Sequence, residues 1–319
     1  MRSLLPTSFF KKATRGASRL GISLNATGFA VALVRREAGS KPSIEHCATH
    51  QAAGEIGAAL RSVLEKLQAT RSRACAVIDG DDYQVVQVEA PDVLPAELRA
   101  AIRWRLREAV SFDVDEAAVD VFEVPDPVRR TQTKMLFAVA AREAAIQRIT
   151  EVVMPVARGF DAIDIPELCV RNVAATLPQD AKGVAMLAVN DQAAHLVITR
   201  QGVLYLTRRI DTKRGFNPHA TTRTALNLDA SSLALELQRS LDYYESQYDQ
   251  TPIGDLVVAP ANDRTRALVD ALKSETGLRV SVLDVNELFN VHSASSAVSD
   301  WSGLLALGAA LRLNDAVGS

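Results

Sequence analysis

The chain has 319 residues, 48% hydrophobic and 23% charged, which suffices for an ordinary globular core and, by length, for two domains. A formal net charge of −2 excludes a global basic field for nucleic acid. Three scattered cysteines, Cys47, Cys75 and Cys169, exclude a disulfide framework and point to a reducing compartment.

No window approaches the roughly 20 apolar residues that cross a bilayer, so a cytoplasmic location is expected. Residues 1–19 read as a flexible basic tail, with Leu4, Leu5, Phe9 and Phe10 set among Arg2, Lys11, Lys12, Arg15 and Arg19. Pro6 splits the apolar pairs, unlike a signal peptide, and the mixture suits contact with anionic lipid.

The stretch 20–34 reads as a hairpin of strands 20–24 and 29–34 around the turn Asn25-Ala26-Thr27-Gly28. A strand at 43–49 follows, then a helix over 54–68 whose Ile56, Leu60, Val63, Leu64 and Leu67 share one face. Strand 74–78 ends in the turn Asp79-Gly80-Asp81-Asp82. A second unit opens with strand 83–89 and a helix over 96–110, buried through Leu98, Ala101, Ile102, Leu106 and Ala109. On that helix Arg99, Arg103 and Arg107 fall four apart beside Trp104. This stripe is either a solvated face balanced by Glu97 and Glu108 or a docking face for a partner or anionic lipid.

Strands at 118–124 and 134–141, a helix over 143–156, a strand at 161–165 and a helix from Pro166 to Leu177 come next. The polar segment 178–183 is the predicted boundary. Beyond it, strands at 184–189, 194–199 and 203–210 repeat the opening order. A polar loop at 211–229 leads to the longest helix, 231–248. Strand 255–260, helix 264–276, strand 279–283 and an apolar, buried helix over 301–313 complete the pattern.

Gly303 and Gly308 are spaced as in a phosphate-binding loop, but Ala309 and Ala310 replace the lysine and hydroxyl, so a core helix is expected. His46 and His50 share a strand face without further ligands and read as exposed residues rather than a metal site. His195 and His219 have no evident partner. The acids Asp79, Asp81 and Asp82, and the group Asp113, Asp115, Glu116 and Asp120, read as solvated turns and strand edges.

Five strings in order resemble the PilM family of type IV pilus assembly proteins: LGISLNATGFAVALV at 20–34, PAELRAAIRWRLREAVSFDVDEAAVD at 95–120, FDAIDIPELCVRN at 160–172, LALELQRSLDYYESQ at 233–247 and GLLALGAALR at 303–312. The resemblance implies an α/β, actin-like ATPase fold of the FtsA kind. It implies half-domains at 20–180 and 181–319 around a nucleotide cleft, an inserted small subdomain at 82–158, and a final helix packed back on the core. It also implies a protein at the cytoplasmic face of the inner membrane, which grips the N-terminal cytoplasmic peptide of the single-span protein PilN. In the mannose-sensitive hemagglutinin branch, which the strings resemble most, the partner is the PilN-like MshJ. The family's peptide lies in a groove between the first subdomain and the inserted one.

The nucleotide motifs depart from that family. Ser23, Leu24 and Asn25 stand where acid, apolar and glycine belong. Ala188, Val189 and Asn190 do so on the second phosphate strand, with Asp191 out of register, and Pro260-Ala261-Asn262 replaces paired glycines. A neutral side chain cannot manage a metal-bound triphosphate, and asparagine crowds a backbone that must approach phosphate. The expectation is a non-enzymatic adaptor without cofactor or metal, whose cleft has no carboxylate placed for a cation. Ser23, Asn25 and Asn190 are then vestigial cleft positions, with ATP bound weakly at most through loop amides. The alternatives are an ATP-binding actin-like or sugar-kinase-like ATPase, and a type II secretion GspL-like protein with a C-terminal membrane span that the sequence does not display.

Overall fold

The computed structural model describes residues 18–37, 39–52, 54–125, 134–211, 230–292 and 296–312. The basic segment 1–17, His219 and most of the loop expected at 211–229 lie outside the described residues.

The opening hairpin pairs β1 (Ser18–Asn25) with β2 (Gly28–Arg35) from Ser18↔Arg35 to Asn25↔Gly28. Ser18 and Arg19 therefore belong to the sheet and not to a tail. β3 (Ser43–Gln51), α1 (Ile56–Lys66) and β4 (Arg73–Val77) follow as the apolar spacing requires. The small unit is β5 (Tyr83–Glu89), α2 (Leu98–Leu106), β6 (Ala117–Glu123) and β7 (Met135–Arg142). Its three strands lie in the order β5-β7-β6 over a separate core of Ile102, Leu106, Val114 and Leu136. α3 (Glu143–Val153) leads back to β8 (Gly159–Asp164) and α4 (Pro166–Ala174).

The second half runs through β9 (Val184–Val189), β10 (Ala193–Arg200), β11 (Val203–Asp211), α5 (Ala230–Tyr248), β12 (Asp255–Ala259), α6 (Asp263–Glu275) and β13 (Arg279–Val282). α7 (Val285–Leu288), β14 (Asn290–Val291) and α8 (Trp301–Ala310) end it. The short pair α7 and β14 has no periodicity to betray it and was not expected from sequence. The segment expected as a polar boundary is a tight 3-10 turn, Pro178–Ala181. Its Asp180 is buried and accepts from the Thr199 hydroxyl and the Gly202 amide, both at 2.6 Å.

The strand orders are β14-β3-β2-β1-β4-β8 and β11-β10-β9-β12-β13, so β3-β2-β1-β4-β8 of the first half and the five strands of the second share one topology. The last helix of each half is exchanged. α4 packs on β9 and β10 of the second sheet, whereas α8 packs on β1, β2 and β4 of the first, and the two helices touch. Both faces of β1 and β2 are thus covered, which is why β2 reads as an unbroken apolar run. Close approach depends on two glycines. A Cβ at Gly21 would overlap the Ala306 carbonyl, and one at Gly308 the Cys169 carbonyl.

Candidate functional site

An open cleft of about 530 Å³ lies where the two hairpin turns face each other. Asn25 ends the first hairpin and Asn190 the second, and both line the cleft. Each closes its own turn. Asn25 Oδ1 accepts from the Thr27 amide at 2.9 Å and the Thr27 hydroxyl at 3.1 Å, while its Nδ2 donates to Ser302 Oγ at 3.1 Å. Asn190 Oδ1 accepts from the amides of Gln192 and Ala193, both at 2.8 Å. This is ordinary asparagine turn chemistry. Its effect is that the amides of Thr27, Gln192 and Ala193 already have acceptors. Ser23 is not a cleft residue: it is 2% exposed and sits within the sheet between Ala30 and Val77.

Three carboxylates line the cleft. They are Asp79, Asp191 and Asp300. Each, however, is engaged. Asp79 accepts from the Gly80 amide at 2.7 Å and from Trp301 Nε1 at 2.6 Å. Asp300 caps α8 through the Gly303 amide at 2.7 Å and accepts from Thr49 Oγ1 at 2.7 Å. Asp191 pairs with Arg264. Among the described residues no group of three or more His, Cys, Asp and Glu could hold a metal ion.

The turn 79–82 is more than a solvated connection. Arg209 on β11 reaches across from the second sheet to the Gly80 carbonyl at 3.4 Å and to Asp81 at 3.6 Å. Arg148 on α3 holds Asp82 at 2.7 Å. Beneath the turn is a buried polar cluster that sequence reasoning missed. Tyr83 donates to the Glu167 carboxylate at 3.0–3.1 Å, and His195 Nδ1 stands 3.5 Å from the same group. The His195 ring lies against Trp301, with centroids 4.9 Å apart. Burial above all, and then the neighbouring Glu167 and Asp79 charges, push the Tyr83 hydroxyl well above its ordinary range, so it remains a donor. The cluster joins the small unit, α4, the second sheet and α8 at one point. Only the acid in the first turn of α4 gave a local signal for it.

His46 and His50 are half-buried, not exposed. Their rings stack with centroids 5.9 Å apart, and His50 stacks on Phe29 at 5.1 Å. Burial lowers both pKa values, assisted by His50 at His46 and by Lys66 at His50.

The arginine stripe of α2 is engaged within its own unit, although Arg99 and Arg107 stay largely exposed. Arg99 pairs with Asp120 at 3.1 Å and Arg107 with Asp115 at 2.9 Å. Arg103 donates to the carbonyls of Val114 and, at 2.9 Å, Ala117. The balance comes from these groups and not from Glu97 and Glu108, and the three guanidinium groups do not form a free cationic face.

Paired sheets of one topology, with two hairpin turns meeting over a cleft, define the actin-like ATPase fold. Among solved structures, the chain is similar to the PilM-PilN type IV pilus biogenesis complex, with a TM-score of 0.62 and 19% identity over 92% of this chain and 97% of that one. It is also similar to the cytoplasmic domain of EpsL, an inner membrane component of the type II secretion system of Vibrio cholerae. There the TM-score is 0.50 and the identity 10%, over 95% and 99% of the two chains. No protein-family model matches the sequence, and no curated protein matches it.

Proposed function

We propose that this chain is a PilM-like adaptor of a type IV pilus assembly platform, which binds a PilN-like membrane protein and does not hydrolyse nucleotide. The observation that carries the proposal is a likeness in fold that spans nearly the whole of both chains when this one is laid on the PilM-PilN complex. The engagement of the Asn25 and Asn190 turns and of Asp79, Asp191 and Asp300 supports the lack of turnover. A triphosphate with its cation needs free amides and free carboxylate oxygens, and here those groups have partners. By the strings quoted above, the finer assignment is to the MshI type, with an MshJ-like partner whose N-terminal cytoplasmic peptide docks the adaptor at the inner face of the inner membrane. No helix among the described residues is long and apolar enough to cross a membrane, which agrees with docking through a partner. The second reading is a component of type II secretion, favoured by the likeness to the EpsL cytoplasmic domain.

One experiment addresses both halves of the proposal. The full chain is titrated by calorimetry with the N-terminal peptide of a PilN-like protein, and its melting is followed with and without magnesium ATP. The expected outcome is saturable peptide binding and an unchanged Tm with nucleotide. A Tm raised by several degrees with magnesium ATP would overturn the reading of the cleft, because a ligand that binds only the native state must stabilise it. Failure of the peptide to bind would overturn the adaptor reading.

A further inference from the structure

The end of the first sheet remote from the cleft is rich in arginine. β1 reaches the cleft at Asn25, so its start at Ser18 lies at the other end, and the pairings Arg19↔Arg73 and Arg73↔Gly159 bring the starts of β4 and β8 to the same level. The antiparallel β2 finishes there at Arg35. α8 runs down to the same end, where Arg36 donates to the Leu311 carbonyl at 2.6 Å and Arg19 to the Arg312 carbonyl at 3.4 Å. The turn 154–158, which precedes β8, meets the loop before β4 through the Arg158 amide, 3.0 Å from the Thr70 carbonyl.

Where an arginine is paired at this end, it is the outer member of the pair. The side chains of Arg35 and Arg73 are 46% and 59% exposed, those of their partners Glu45 and Asp161 only 22% and 19%. Arg312 likewise covers Asp164, which is buried. Arg36 pairs with no acid among the described residues; burial and the neighbouring Arg19 charge lower its pKa, and its Nε is buried without a partner. Arg71 and Arg158 are exposed, and among the described residues neither side chain has an ion pair or a hydrogen bond. Glu37, Glu65 and Glu151 are the exposed acids closest in sequence, and counting them with the three partners still leaves the arginines and Lys66 in surplus.

The same turn presents Met154, 59% exposed, and Pro155 beside Arg158. The chain also enters β1 here, so the residues before Ser18, which include Arg2, Lys11, Lys12 and Arg15 and no acid, are tethered to this end and add to its charge. Outward guanidinium groups suit the phosphates of an anionic lipid surface. An open thioether among them suits the headgroup boundary better than the sugar-phosphate backbone of a nucleic acid, whose contacts are polar. We propose that this end of the first sheet, through Arg71, Arg158 and Met154, rests on a bilayer with anionic headgroups. The contact is separate from peptide capture and needs no partner protein.

The test sediments the full chain with vesicles of phosphatidylcholine and phosphatidylglycerol at a ratio of about 2:1, and with phosphatidylcholine alone. Binding is expected to the anionic vesicles only, and Arg71→Gln/Arg158→Gln is expected to weaken it by about tenfold or more. Arg99→Gln/Arg107→Gln removes the same charge from the small unit and is expected to leave it within about twofold of the parent. Far-UV circular dichroism checks that both variants are folded. No binding overturns the proposal, and so do equal losses in the two variants. Binding that persists in Arg71→Gln/Arg158→Gln also overturns it, because the residues before Ser18 would then act alone. Release by millimolar glycerol phosphate would mark a site for a free anion, and a DNA duplex held as tightly as the vesicles would mark a nucleic-acid face; either result overturns the lipid assignment. A second measurement is independent of charge. Met154→Cys is labelled with a polarity-sensitive dye, which the buried Cys47, Cys75 and Cys169 escape. Its emission is expected to shift to the blue with anionic vesicles, and an unchanged spectrum contradicts the proposal.

Discussion

Tyr83, Glu167, His195 and Trp301 illustrate how a site is assembled from residues that reveal little singly. The Tyr83 and Glu167 partners are 84 positions apart and Trp301 and Asp79 are 222 apart. No local window contains them together, so the sequence displayed an isolated histidine in a strand and an acid in the first turn of a helix, with nothing to join them. The asparagines were legible as turn residues because their chemistry is local. Their consumption of three turn amides was not, since it depends on the geometry of each turn. Removing the Tyr83 hydroxyl leaves a buried carboxylate short of a donor, and such a loss costs about 1–3 kcal/mol. Tyr83→Phe is therefore expected to lower the urea midpoint clearly, whereas Tyr243→Phe, at a more open position, stays within about 0.5 kcal/mol of the parent.

At the scale of elements, periodicity did most of the work. α1 buries Leu60 and Leu64 on the expected face, and α8 is buried nearly all round, as its apolar composition required. The glycines of α8, which resemble a phosphate loop in spacing, serve contact between helices. Gly308→Ala would drive a methyl into the backbone of α4, and Gly21→Ala one into α8. Neither backbone can give way cheaply, so both variants are expected to lose more than about 3 kcal/mol or to fail to fold, read from soluble yield and thermal melts. β3 makes a separate prediction about pH. The His46 and His50 pKa values are lowered in the folded chain, so the unfolded chain binds more protons as pH falls below the ordinary histidine value of about 6.5. Their contribution to stability is whole above that pH and declines as the pH falls through the interval between the two values. Urea midpoints at pH 7.5 and 5.5 should differ in that direction, and the difference should shrink in His46→Gln/His50→Gln.

Across the whole molecule, the duplicated topology was legible as a repeated strand order, but the exchange of α4 and α8 between halves was not, because nothing in either helix names the sheet it covers. The same holds for Arg209, which reads as a strand residue and acts as a bridge between the second sheet and the turn 79–82. Its pairs are partly open to solvent and contribute little to global stability. Arg209→Gln should therefore leave the melting temperature nearly unchanged while hydrogen exchange speeds up at residues 79–82 and at the end of β11. An unchanged exchange pattern would show that the bridge does not restrain the turn. The position of α8 has a consequence for biosynthesis. The hairpin of β1 and β2 is roofed by α8, a helix made far later in the chain, and β14 extends its sheet just before that. At translation rates of about 5–20 residues per second, β1 and β2 wait roughly 15–55 s for that roof. During that interval a strongly apolar strand pair is a natural client for a holding chaperone.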